Sequence, residues 1–365
     1  MIIHFLLLTV LFFGVLTTIT SASIDIKQHY YTYSYGDFSN VEDEIKKDIE
    51  TDKKNKINFV GDVMLARHVE YLIEKNNVNY PYSYLNFLDK DNSYTVGNFE
   101  GSIPKEHKKT PNFNFSFSIN PKYISSLQLA GFTHMSLANN HSFDYGIEGY
   151  LNSIKILESN NIKSFGNPIN FSTSSISILD LPNYKIAIIS ISDVFKTPSD
   201  KDLKSVLTQA GLESDFQIIY IHWGEEYSLV NSRKQKELAQ KLVDLGADLI
   251  IGHHPHVVQN VEKINNTLVF YSLGNFIFDQ YFDNEVMDGL MVSLIDSNGL
   301  NLEITPITSR HSKAQPQMMN DQESVDFIDL LSKRSEKELG DLFKKQRIVL
   351  INQLATSTET ARMAR

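Results

Sequence analysis

From Lys56 onward, short apolar runs alternate with segments whose apolar residues recur at helical spacing, and the runs stop at polar clusters again and again. Residues 57–60 lead into Gly61-Asp62, 94–96 into Gly97-Asn98-Phe99-Glu100, and 133–138 into Asn139-Asn140-His141. Further on, 216–221 lead into His222-Trp223-Gly224, 247–251 into Gly252-His253-His254-Pro255-His256, and 267–273 into Gly274-Asn275. Such runs read as buried strands of an α/β sheet. Ligands of open α/β sheets sit just beyond the carboxyl ends of the strands, so these clusters are expected to share one rim.

Helices fill the intervals. Residues 121–130 carry proline near the start and Gly131 past the end, and 232–245 show apolar positions at helical spacing before Gly246. The alternating stretch 290–307 predicts late strands that complete a sheet. Residues 322–354 read as helical, with Val325, Ile328 and Leu331 on one face, then a charged patch, then 348–354.

Composition and charge divide the chain further. Residues 1–24 carry no formal side-chain charge apart from what His4 acquires, and the apolar part, 2–16, has the length of a signal-peptide core or a short membrane anchor. Thr20-Ser21-Ala22-Ser23 offers small residues for cleavage. Export is therefore expected, with the folded part at the cell surface or membrane-anchored, outside the cytoplasm. A polar linker follows at 25–55, a domain at 56–310, and a C-terminal helical extension at 311–365 that packs on the domain or binds a partner. The chain has no cysteine, which excludes disulfides, thiolate catalysis and cysteine zinc sites. Its net charge of -10 argues against nucleic acid as a partner.

The chemistry concentrates at the rim. Proline fixes its own φ and favours extended backbone before it, so His254 and His256 are expected to project to one side as metal ligands while His253 points away as a bystander. Asp62 follows a buried strand, although Gly-Asp is also a common turn. Arg67 offers a planar fork for an anionic substrate group, or a surface ion pair. Asn98 and Glu100, two apart, point into one site if the segment is extended. Asp144 reads as the cap of a helix starting near Gly146, and Trp223 as core or as a substrate wall. No Gly-x-Ser-x-Gly elbow occurs, so a metal-activated water fits the inventory better than a serine nucleophile.

These blocks, in this order, resemble the CapA family of poly-γ-glutamate capsule biosynthesis proteins over about residues 57–310. The family is similar to calcineurin-like metallophosphoesterases, and the resemblance implies a four-layer α/β/β/α sandwich of the metallo-dependent phosphatase type with metal at the strand ends. It implies Asp62 as a first-strand ligand, Asn98 with Glu100 in the bridging region, Asn140 as ligand, His141 as acid, and His222, His254 and His256 completing the shell. Two positions depart from the phosphoesterase pattern: Met64 stands where Asp-x-His has its histidine, and Asn98 stands where an aspartate bridges two metals. The implied cofactor is a divalent ion, Mn, Mg, Zn or Fe, in one or two copies. The implied partners are an anionic polymer such as poly-γ-glutamate and membrane capsule-synthesis proteins. A phosphoesterase or amide hydrolase unrelated to capsule, and a non-catalytic polymer-binding scaffold, are the alternatives.

Overall fold

The computed structural model describes residues 54–345 and the backbone of a last strand, Ile348–Leu350. The expected signal or anchor at 1–24 and nearly all of the linker at 25–55 lie outside the described residues.

In chain order the first half comprises β1 (Lys56–Val63), α1 (Arg67–Lys75), β2 (Ser93–Phe99), α2 (Ile124–Leu129), β3 (His134–Ser136), α3 (Gly146–Ser159) and β4 (Lys163–Phe165). Then come β5 (Ile176–Asp180), β6 (Lys185–Ser192), α4 (Asp200–Glu213), β7 (Phe216–His222), α5 (Arg233–Asp244), β8 (Leu249–His253), β9 (Val261–Ile264) and β10 (Thr267–Phe270). The last part holds β11 (Asn275–Ile277), α6 (Asn284–Met287), β12 (Asp288–Asp296), β13 (Leu300–Thr308), β14 (Gln317–Met318), α7 (Asp321–Arg334), α8 (Lys337–Lys345) and β15 (Ile348–Leu350). One sheet runs β14-β13-β12-β1-β2-β3-β4, with β11 beside the end of β1 and β15 on β13; the other runs β5-β6-β7-β8-β10-β9. Strands β1 to β4 are parallel, as are β6, β7, β8 and β10, so their carboxyl ends lie at one edge of each sheet.

Alternation along the strands sorts side chains into layers. Ile57, Phe59 and Val292 of the first sheet share one core with Ile188, Ile218, Tyr220 and Ile251 of the second. On its outer face the first sheet packs Val60, Phe99 and Met135 against Val69 of α1, Leu127 of α2 and Leu157 of α3. The second sheet packs Ile189, Ile219 and Ile250 against Leu203 of α4 and Leu238 of α5. The result is the four-layer α/β/β/α sandwich that the resemblance implied. Because both faces of each sheet are buried, the strands are written as unbroken apolar runs.

The C-terminal region departs from its expectation in two ways. Of the face expected on α7, Ile328 and Leu331 are buried and Val325 is exposed; Ser324, Phe327 and Ser332 are buried beside the first two. Past α8 the chain is β15, paired antiparallel with β13, and 348–350 is therefore strand where helix was expected. The run Ile348-Val349-Leu350 is rich in β-branched residues and meets an open strand edge. Phe327, Ile328 and Leu331 of α7, with Leu339 and Phe343 of α8, join the core between the sheets. Among the described residues no helix is long and apolar enough to cross a membrane.

Candidate metal centre

The register of β1 against β2 shifts between Phe59 and Asp62, and past the shift Asp62 lies opposite Asn98. A close approach makes room for this. A side chain at Gly61 would start 2.0 Å from the Gly274 carbonyl oxygen, which instead accepts from the Asp62 amide at 3.1 Å. The Asn98 amide nitrogen then donates to Asp62 Oδ1 at 2.8 Å and to Glu100 Oε2 at 3.3 Å, holding two fully buried carboxylates together. From the other sheet, His256 brings Nδ1 to 3.2 Å from Asp62 Oδ2 and Nε2 to 3.6 Å from Glu100 Oε1.

Donor atoms of Asp62, Glu100 and His256 lie within 4.8 Å of one another, and those of Glu226, His254 and His256 do the same. The two trios share His256. Glu226, exposed on the loop after β7, lies in the block after His222 that carries the family resemblance but had no role assigned from sequence, because an acid in a polar loop carries no signal by itself.

Burial and like charge strain this cluster. Burial, with the Asp62 carboxylate beside it, pushes the Glu100 carboxyl well above the usual range. Burial also works to raise Asp62, but the His256 and His253 rings and the Asn98 amide outweigh it and hold that carboxyl low. His256 loses basicity to burial and regains more from Glu100, Asp62 and Glu226, which push it up to about 9. Glu100 Oε1 and His254 Nδ1 are buried with no hydrogen-bond partner among the described residues. Two buried carboxylates facing one imidazole, with orphaned donor atoms around them, form a donor set that a divalent cation satisfies. Asp62, Glu100 and His256 would hold it, with His254 and Glu226 at the adjoining position.

The histidine loop reaches this geometry by a route the sequence concealed. His254, expected to be extended before Pro255, has φ 96°, and His256 after the proline also has positive φ, 59°. Their rings are 6.1 Å apart. His253 is no bystander pointing outward: it is buried, with Nδ1 3.6 Å from Asp62 Oδ1 and its ring 4.1 Å from that of Tyr220. Burial pulls its basicity down to about 4, so it faces the carboxylate as a neutral ring.

Beside the carboxylates sits an amide-linked set. His222 Nε2 meets Asn140 Oδ1 at 2.7 Å and its Nδ1 meets Asn98 Nδ2 at 3.2 Å, so both ring nitrogens are engaged by amides. His141 Nδ1 bonds Asp144 Oδ2 at 2.9 Å, leaving Nε2 3.7 Å from Glu100 Oε1. Asp144 thus orients His141 and does not cap α3, whose N-cap is Tyr145 without a side-chain bond. Arg67 is paired with Asp279 and stacked 4.5 Å from the centroid of the Phe117 ring, so of its two expected roles the ion pair is the one seen, buried instead of on the surface. Trp223 is fully buried and donates to the Tyr271 carbonyl at 2.8 Å, which makes it core and not a substrate wall.

A family model described as bacterial capsule synthesis protein PGA_cap matches residues 56–280. The chain belongs to this family. It is 29% identical over 286 residues, 72% of this chain and 70% of the relative, to the capsule biosynthesis protein CapA of Bacillus anthracis. Identity is 30% over 275 residues, 71% of this chain and 72% of the relative, to the PGA biosynthesis protein CapA of Bacillus subtilis (strain 168). Solved structures that align with it include a hypothetical protein from Thermus thermophilus, at 14% identity and TM-score 0.43, covering 72% of this chain and 95% of that one. A phosphatase from Mycoplasma pneumoniae aligns at 15% identity and TM-score 0.42, covering 73% and 93%. Every donor named above, from Asp62 to His256, falls inside the block matched by the PGA_cap model.

Proposed function

We propose that the chain acts in the synthesis, release or transport of poly-γ-glutamate capsule, through a metal-dependent hydrolase-type centre held outside the cytoplasm. The observation that carries the reading is the pair of buried carboxylates, Asp62 and Glu100, facing His256 with unpartnered donor atoms around them. Membership of the PGA_cap family and the likeness to two capsule proteins support the polymer, and the uncharged apolar start of the chain supports export or anchoring. A bound divalent ion supplies a Lewis acid and lowers the pKa of water, to about 7 in favourable zinc sites. Around it, the chain's own groups have distinct work. Asn98 fixes the two carboxylates, and His141, oriented by Asp144, presents Nε2 as the proton donor for a leaving amine or alkoxide.

One observation favours a second reading, a polymer-binding scaffold. Met64 is buried on the first strand side of the site and its sulfur accepts from the Ala66 amide at 2.9 Å, so it serves local packing where phosphoesterases carry a histidine. The test is metal content together with turnover of γ-glutamyl oligomers and of phosphodiester model substrates, in wild type, His254→Ala and Asp62→Asn. Both variants are expected to lose bound metal and to drop turnover of the γ-glutamyl substrate by about 100-fold or more. Turnover unchanged in both variants rules the site out. A metal-free wild type that still binds polymer establishes the scaffold, and preferential turnover of phosphodiesters moves the chain away from capsule.

A further inference from the structure

Of the polar clusters that close the apolar runs, Gly274-Asn275 is left without a role by the chemistry above. Asn275 opens β11, which runs parallel to the end of β1, and the register sets it opposite Asp62. Asp62 therefore lies between two asparagines, Asn98 on β2 and Asn275 on β11. Asn98 serves the carboxylates, whereas Asn275 serves the ring. Its side chain is buried and its amide is fully engaged: Nδ2 donates to the Val286 carbonyl at 2.9 Å and to Gln280 Oε1 at 3.0 Å, and Oδ1 lies 2.9 Å from His256 Nδ1.

A backbone carbonyl only accepts, so the bond to Val286 decides which end of the Asn275 amide is nitrogen and which is oxygen. The oxygen is what meets the imidazole, and it has no proton to give. His256 Nδ1 must therefore donate. Asp62 Oδ2, 3.2 Å from the same nitrogen, is a second acceptor there, but Asp62 is itself needed by a cation, which leaves Asn275 as the acceptor that serves the ring alone. With a proton on Nδ1, the lone pair that this ring can offer is on Nε2. Nε2 is the atom aimed at Glu100 Oε1, 3.6 Å away, an oxygen with no hydrogen-bond partner among the described residues. We propose that Asn275 is a positioning residue of the metal centre, locking His256 with Nδ1 protonated so that Nε2 is its ligand atom. The inference rests on the metal-binding reading above. The network also reaches outward: Gln280 Nε2 donates to the Tyr227 hydroxyl at 3.0 Å, and the Tyr227 amide donates to the Pro255 carbonyl at 2.8 Å. The loop that carries Glu226 is thereby tied to Asn275 and to the histidine loop, while the Val286 carbonyl suffices to keep Asn275 facing His256.

Nuclear magnetic resonance of the full chain, labelled with nitrogen-15 in histidine and saturated with zinc, tests this. The spectrum shows which nitrogen of the His256 ring, assigned with His256→Gln, keeps a directly bonded proton and which is coordinated. The wild type is expected to show a proton on Nδ1 and zinc on Nε2. Asn275→Ala is expected to weaken zinc binding by about tenfold or more and to shift the Nδ1 proton signal, because its neutral acceptor is gone. Gln280→Ala is expected to keep that signal in place and to change zinc affinity by less than about threefold. A merely structural role for Asn275 lowers stability but leaves the Nδ1 signal and zinc affinity as in the wild type, and that result overturns the inference. Zinc on Nδ1 also overturns it while leaving the metal reading intact, and this wild-type observation decides even if Asn275→Ala does not fold. An equal shift in Gln280→Ala and Asn275→Ala overturns Val286 as the group that orients the amide and the tautomer argument built on it. A wild type that takes up no zinc overturns the metal reading and the inference together.

Discussion

Single side chains away from the site set part of the pH response. His134 on β3 is buried, and burial, aided by Lys163, pulls its basicity down to about 3, well below the ordinary 6.5. The unfolded chain therefore binds a proton that the folded chain refuses. This contribution to stability is complete above about pH 6.5 and is lost progressively as the pH falls toward 3. Urea midpoints read from Trp223, the one tryptophan, should fall between pH 7 and 5, and His134→Gln should flatten that fall. Parallel curves for the two proteins would falsify the assignment. Sequence spacing made Asp62, Asn98 and Glu100 legible as neighbours, because each ends or follows a buried strand. It left Asp144 and His253 in the wrong roles, because contacts made across loops and sheets leave no periodic trace.

Among the elements, β8 shows how little clearance the second sheet allows. A side chain at Gly252 would begin 2.0 Å from the Tyr271 carbonyl oxygen and 2.5 Å from Trp223 Nε1, the two atoms that bond each other at 2.8 Å. Gly252→Ala must displace one of them, and a loss of about 3 kcal/mol or more in unfolding free energy is expected, together with weaker metal binding at the adjoining His254 and His256. Equilibrium denaturation and metal titration of the variant check both parts; wild-type stability would show that the strands yield easily. That a glycine ends the apolar run was plain from sequence. Its reason was not, since it depends on how closely the chain between β10 and β11 approaches.

For the whole molecule, the C-terminal helices close the core between the sheets. Phe327, Ile328, Leu331, Leu339 and Phe343 are all buried there, and each contributes roughly 1.5–3 kcal/mol by burial. Together they rival the net stability of a typical domain, about 5–15 kcal/mol. A chain ending at Asn320 should therefore lose cooperative unfolding and expose apolar surface, measured by dye binding and by the denaturation curve; a sharp transition near the wild-type midpoint would mean the helices are an accessory. Helical spacing from residue 322 onward was readable, and so were Ile328 and Leu331 as packing positions, but exposed Val325 was not separable from them because it looks equally apolar in a line of letters. One bond within the site has a bearing on the order of assembly. The His254 amide donates to Asp62 Oδ2 at 3.4 Å across 192 positions of chain. Contacts of such separation form slowly, since a long loop must close first. Metal uptake during refolding should consequently lag behind secondary structure, turning the ion into a clock for the moment the two ends of the fold meet.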